Sequence, residues 1–486
     1  MTARVPWAVA SLAIGSLACA GTPSVGGVAG VPPSPSRAWT PPAGKRPEEV
    51  AARPSVPRDL EQRIRQLTLA EVVDLGLRNN PLTRLSWANA RAAAAAYGSE
   101  RGAYYPTVDG DVTATRLKTV ASQGRTAVTQ SVLNPSISLS YLLFDFGGRS
   151  GNVGAARNAL LAANFTHNAT LQDVALRIQG AYFEYIANRA LLSAQQTTTR
   201  EARANLAAAE ERNRVGVATI ADVLQARTAA SQAELAAQTT EGNLQTSRGA
   251  LALSLGLPAN LPYDVDSTAG QLPVSVLADS VDVLIAGAVK GRPDLAAARA
   301  EFEASRSQIS VARASRLPAV TLNGTGGRTY TTTLPQGGNN YTVSLGLRIP
   351  LFAGFSRLYD QREAVALADA ASARADALGQ QVVFEVFRSY YALQTAARRV
   401  RTANDLMASA TQSSEVALGR YKAGVGSVLD LLSAQTALAD ARAQQVLARL
   451  EWNTSLAQLA RDAGVLDPQG GSSLRLTRDS VQQLPR

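Results

Sequence analysis

Few side chains in this protein could do covalent or metal chemistry. One histidine, His167, and one cysteine, Cys19, occur in 486 residues. A Cys/His zinc site, a disulfide, a Ser/His/Asp triad in its usual motif context and a Cys/His nucleophile pair are therefore out of reach. Carboxylates remain, but no Gly-rich GxxxxGKS phosphate loop stands beside them. No metal, no cofactor and no enzymatic activity is expected. What the carboxylates can supply is fixed charge: Asp222 and Asp430 follow Gly216 and Gly424 by six residues each, and a helix N-terminus favours an acid at such a place.

The chain has 48 Lys and Arg against 38 Asp and Glu, a net charge of +10. Its charged fraction, 18%, is below the usual ~25%, aromatics are only 5%, and alanine fills the gap. A basic excess could suggest nucleic acid. Here the basic residues spread along helical segments and alternate with acids, as in Glu210-Glu211-Arg212, so no nucleic-acid partner is expected.

Residues 1–19 read as a signal peptide, with Arg4 as the positive start and Trp7 to Ala18 as the apolar stretch. The sequence Ser16-Leu17-Ala18-Cys19 resembles a bacterial lipobox, which usually has Leu where Ser16 stands. Either Cys19 carries lipid or cleavage after Ala20 discards it. Residues 20–66, with Pro32-Pro33-Ser34-Pro35 and Pro41-Pro42, form a Pro-rich tether that cannot bury enough apolar surface to offset its ordering entropy. No further run of 18 apolar residues follows, so no transmembrane helix is expected in the mature chain.

The rest is a duplication. Asn80-Pro81 matches Arg292-Pro293 and Tyr105-Pro106 matches Leu317-Pro318 at an offset of 212. Leu143-Phe144 matches Leu351-Phe352, Val215-Gly216 matches Ala423-Gly424, Asp222 matches Asp430, Ala226 matches Ala434 and Leu255-Gly256 matches Ala463-Gly464, all at 208. Two consistent offsets mean two homologous halves, 67–260 and 281–464, with a linker at 261–280, a tail at 465–486 and four extra residues between Pro106 and Phe144. Each half reads as helix, two strands, long helix, turn, long helix.

Strands follow the helix-stopping Pro106 and Pro318. Val108, Gly110, Val112 and Ala114 alternate with polar residues, as do Ile137, Leu139, Tyr141 and Leu143, then Val320 and Leu322, then Tyr341 to Ile349. A half-buried soluble sheet would alternate in the same way. Aromatics near the strand ends, Tyr104, Tyr105, Phe144, Phe146, Tyr330, Tyr341, Phe352 and Phe355, and strand lengths of about ten residues favour a membrane barrel with interfacial girdles.

Residues 151–213 and 356–421 read as long amphipathic helices, with Leu171, Val174, Ile178, Tyr182 and Ile186 on one stripe and Val382, Val386 and Tyr390 on another. Shorter helices are expected at 82–104, 218–255 and 293–316, and two of these end to end match one long helix in length. That suggests a wall of continuous and broken columns. Four strands cannot close a barrel, whose smallest membrane form has about eight, so several copies must assemble. The competing reading is a pore-less periplasmic coiled-coil scaffold.

The chain resembles the TolC-type outer-membrane efflux factors over nearly all of 67–464. The likeness rests on the two halves, on Asn80-Pro81 and Arg292-Pro293, on Leu351-Phe352-Ala353-Gly354, and on Arg420-Tyr421-Lys422-Ala423-Gly424 followed by Ser427 to Gln435. It implies a mixed helical and β membrane protein: a homotrimer with a twelve-stranded barrel in the bacterial outer membrane, contacting lipid, and a long periplasmic α-barrel. It implies a passive conduit docked by a periplasmic adaptor and powered by an inner-membrane pump of RND or ABC type. The adaptor-docking turns would be Val215, Gly216 and Val217 with Ala423, Gly424 and Val425. Asp430 would line the constriction that closes the tunnel, with Asp222 beside it and Tyr421 in the closing bond network. Where many relatives carry an arginine two residues after the turn glycine this chain has Gly426, and where some carry a second aspartate it has Ser433.

Overall fold

A computed structural model describes residues 67–118, 129–260, 263–265, 276–277, 280–331, 334–466 and 476–477. All belong to one compact unit, Asp59–Arg486. The signal peptide, Cys19, the tether of 20–66, most of the linker and most of the tail lie outside the described residues. In chain order the elements are α1 (Leu69–Asn79), α2 (Pro81–Gly102), β1 (Thr107–Lys118), β2 (Thr129–Phe144), α3 (Gly148–Arg214), α4 (Ile220–Ser254), β3 (Val276–Leu277), α5 (Val281–Gly291), α6 (Pro293–Ala314), β4 (Ala319–Thr331), β5 (Leu334–Arg348), α7 (Ser356–Lys422), α8 (Val428–Asp462) and β6 (Leu476–Thr477).

The duplication carries through to element length. The helices of the two halves measure 11, 22, 67 and 35 residues in each copy. Sequence reading had no place for α1, α5 or the two-residue pair β3–β6. The remaining helices fall within a few residues of expectation. Pro81 and Pro293 each open a helix, where a missing N–H is no loss. No described helix is long and apolar enough to cross a membrane.

The four long strands form one antiparallel sheet in the order β1-β2-β4-β5. Its register puts like with like. Val108 lies opposite Leu139, and Tyr141, Leu322 and Leu345 form one apolar row; Asp111 faces Ser136, and Ser140, Asn323 and Ser344 form a polar one. The apolar face is open, with Val112, Ile137, Tyr341, Val343 and Leu345 all exposed. Most of the expected girdle aromatics stand exposed near the strand ends. Tyr341 does not: it sits in the middle of its strand, opposite Gly326.

Below the sheet, α3 and α7 are continuous columns of about 100 Å each at ~1.5 Å per residue. The columns beside them are broken, and the partners in each break belong to the same half. The end of α4 meets the start of α2, where Asn80 Nδ2 donates to Ser254 O at 3.0 Å. The end of α8 meets the start of α6, where Arg292 Nη1 donates to Asp462 O at 3.4 Å. Both breaks need a left-handed glycine. Gly256 has φ +71 with Asn79 O 2.7 Å from where a Cβ would stand, and Gly464 has φ +74 with Arg292 backbone close by.

A further pair of equivalent residues ties each long column to the end of a short helix, and in the first half to the sheet as well. Arg149, second residue of α3, donates to Ala103 O at 3.2 Å and Leu142 O at 2.8 Å. Its counterpart in the second half, Arg357 of α7, donates to Ser315 O at 2.6 Å. Each guanidinium thus satisfies a carbonyl at the end of a short helix, the place where a cation is favoured.

Candidate functional site

The far ends of the two long helix pairs are built from local capping. At both tips a glycine adopts left-handed φ, +79 at Gly216 and +76 at Gly424. Val217 N donates to Arg212 O at 2.9 Å and Val425 N to Arg420 O at 3.0 Å, the bonds that close a helix C-terminus around such a residue. Next comes a capping box. Thr219 and Asp222, then Ser427 and Asp430, exchange side-chain and backbone bonds: Thr219 N donates to Asp222 Oδ2 at 2.9 Å, and Asp430 N donates to Ser427 Oγ at 3.1 Å. Both aspartates are therefore occupied as helix N-terminal carboxylates, Asp430 exposed and Asp222 partly buried.

Around these turns the surface is apolar. Val215, Val217, Ile220, Leu224, Val425 and Leu429 are each more than half exposed. Tyr421 is the exception. It is buried with Val428 and Leu431 in the core of its own tip, and the Arg212 guanidinium lies 4.3 Å from the centre of its ring. Arg212 Nη2 also donates to Tyr421 O at 3.0 Å and Lys422 O at 3.4 Å. The tip of the first half thus grips the tip of the second, through a cation over a ring and two charge-assisted bonds.

Two more polar ties run up α3 from that grip. Asn205 donates to Gln435, and Arg442 makes a two-pronged bond to Glu201 at 2.9 and 3.0 Å. The apolar filling between α3 and α4 is alanine-rich, as in the cluster of Ala209, Val223 and Ala226, which lets helices approach closely. Sequence reading singled out Tyr421, Asp222, Asp430 and the turns, and all of them gather at one end of the molecule. It missed Arg212, Glu201 and Arg442. The only available signal was the recurrence of Arg212 as Arg420 at the repeat offset, and that does not show which of the two crosses over. Gly426 sits in a tight local space: a Cβ there would come within 3.1 Å of Arg420 Cβ and 3.2 Å of the Arg420 and Tyr421 backbone.

A second polar centre lies at the break between α8 and α6. Arg292 is buried and bonds Asp294 and Glu385, while Arg461 reaches Asp173 at 2.9 Å and Glu385 at 3.3 Å. Burial alone would raise the carboxyls of Asp294 and Glu385. The Arg292 guanidinium bonded to them overrides that and holds both below their ordinary values. Burial would lower Arg292, and the same two carboxylates push it up instead. Asp462 is fully buried beside them, with Oδ1 accepting from Gln458 at 2.9 Å and Oδ2 without a partner among the described residues. No group of described His, Cys, Asp and Glu side chains is placed to hold a metal ion.

Comparison with known proteins agrees with this architecture. The family model described as "Outer membrane efflux protein" matches residues 72–257 and 284–465. "Protein CyaE" of Bordetella pertussis is 31% identical over 421 residues, covering 83% of this chain and 85% of its own. "Toluene efflux pump outer membrane protein TtgF" of Pseudomonas putida is 29% identical over 455 residues, covering 89% and 92%. A solved membrane protein from Pseudomonas aeruginosa superposes with a TM-score of 0.75 at 25% identity, over 82% of this chain and 93% of that one.

Proposed function

From a chain that belongs to the outer membrane efflux protein family, we infer a homotrimeric conduit gated at its helical tips. The compartment and activity come with the family: the protein is an efflux channel of the outer membrane, with its helical body in the periplasm. Its family is one of channels, not an enzyme class. The copy number follows from strand arithmetic. Two copies would make eight strands, a barrel whose interior its own side chains fill, whereas three make twelve and leave a bore. The observation that carries the reading is the four-stranded sheet, apolar and exposed on one face, polar on the other, and unpaired at both edges. A pore-less scaffold has no use for such a sheet in water.

At the other end, the exposed valines and leucines beside Gly216 and Gly424 offer a docking face for the hairpin of a periplasmic adaptor. An inner-membrane pump of RND or ABC type supplies energy that this chain, lacking a nucleotide site, does not. In the closed trimer Asp430 contributes one carboxylate per copy to a ring that attracts cations and repels anions, with Asp222 nearby. Arg212 holds Tyr421 and keeps the second tip against the first. Single-channel recording in planar bilayers tests this. Asp430→Ala should weaken block by a trivalent cation complex, and Arg212→Ala should raise conductance in the absence of adaptor. Unchanged block and unchanged conductance would remove both residues from the gate.

A further inference from the structure

The two edge strands of the sheet carry complementary charges on the same face. Among the described residues β1 bonds only to β2, and β5 only to β4. Each therefore presents a row of free backbone groups that lipid cannot satisfy. Asp109 of β1 lies on the polar face, opposite Ser138. Arg348, the last residue of β5, lies on that same face, opposite Ala319. Both side chains are exposed, and neither has a bonding partner among the described residues.

The register says where these charges go when copies join. Following the ladder from Thr107 through Ser140 and Asn323 leads to Ser344, and β5 continues four residues past that level to Arg348. Closing a barrel adds a stagger. Four strand spacings of ~4.8 Å at a tilt of ~35–45° displace the register by about four to six residues of ~3.3 Å each. Odd displacements are excluded, because a slip of one residue would turn the carboxylates of β1 toward lipid. A displacement of four sets Thr107 of the partner subunit opposite Arg348, with Asp109 of the partner subunit on the diagonal. A displacement of six sets Asp109 of the partner subunit directly opposite. A long side chain spans either separation.

We propose that Arg348 of each copy and Asp109 of the partner subunit form an ion pair across every seam of the barrel, on its luminal face at the end nearest the helices. The proposal rests on the trimeric-barrel reading above and adds to it the residues that set the register. In a water-filled bore such a pair contributes little affinity. Its effect is selective, since an odd slip moves the two charges to opposite faces.

The test uses the full-length protein in detergent. In Asp109→Cys combined with Arg348→Cys, a short bis-maleimide, which adds one thiol at each of its two ends, should produce a ladder on denaturing gels that ends at the trimer. Either single variant, with Cys19 still present, should give none, and Val108→Cys with Arg348→Cys, on opposite faces, should give none. Independently, Asp109→Arg should lower the temperature at which the oligomer dissociates, and Asp109→Arg with Arg348→Asp should recover most of that loss. An intact oligomer that fails to cross-link at this pair, or a charge swap no better than the single reversal, overturns the seam and leaves the trimer standing. A wild-type particle that is monomeric in detergent overturns the trimer, and the seam with it.

Discussion

At Arg292 the two halves of the duplication diverge. The equivalent residue, Asn80, bridges its helix break with neutral bonds: it accepts from Leu82 N at 2.8 Å and donates to Ser254 O. Arg292 does the same mechanical task with a charge that is only 2% exposed and that two carboxylates surround. Removing one member of a buried ionic group leaves the others uncompensated, at a cost of about 3–5 kcal/mol. Arg292→Met should therefore lower the thermal midpoint of helix unfolding followed by circular dichroism, whereas Asn80→Ala should cost less. The pH dependence has a definite sign. The folded carboxyls of Asp294 and Glu385 sit below their unfolded values of 3.8 and 4.5, so their stabilisation is present above the unfolded values and lost as pH falls through the folded ones. Melting temperatures taken from about pH 6 down to about pH 3 should drop most steeply at the acid end, and Asp294→Asn with Glu385→Gln should flatten that drop. Arg292-Pro293 was visible in the sequence as a helix start. Its distant ion partner Glu385 was not, nor was Arg461, which shares that carboxylate, because both lie far along the chain and only the folded columns bring them together.

Among the elements, the helices that packing and capping agree on were legible, and the ones that depend on tertiary context were not. Pro81, Pro293, Gly216 and Gly424 mark boundaries that any chain would respect, and α2, α3, α4, α6, α7 and α8 follow from them. α1 and α5 are 11 residues each, too short to stand alone in water, and exist because they pack on α3 and α7. Strand alternation foretold the sheet and its faces, whereas the pairing β2 with β4 joins the two halves and needs the fold. The break partners were open for the same reason, since length matching accepts either 22-residue helix with either 35-residue one. One comparison isolates the break. Gly216 and Gly256 both have left-handed φ, but a Cβ at Gly216 meets open space and one at Gly256 meets Asn79 backbone at 2.7 Å. Gly216→Ala should cost about 1–2 kcal/mol of strain alone. Gly256→Ala should cost clearly more, read as the larger loss of thermal stability of the two purified variants.

For the molecule as a whole, the sequence held the duplication and the alternation that makes one face of the sheet apolar, because spaced matches and periodicity record them directly. It held the tip turns too. It did not hold the Arg212 grip on Tyr421 or the ladder of ties above it, which link the halves across about 200 positions of chain. These observations fit a part of a wall, with an exposed apolar sheet face at one end and polar clasps between equivalent hairpins at the other. The claim beneath them is that one chain supplies one third of a closed cylinder. The mass of the protein in the detergent-solubilised particle, measured by light scattering with the detergent contribution subtracted, tests it most directly. Three chains per particle is the expected result, and a homogeneous particle containing one chain would contradict it.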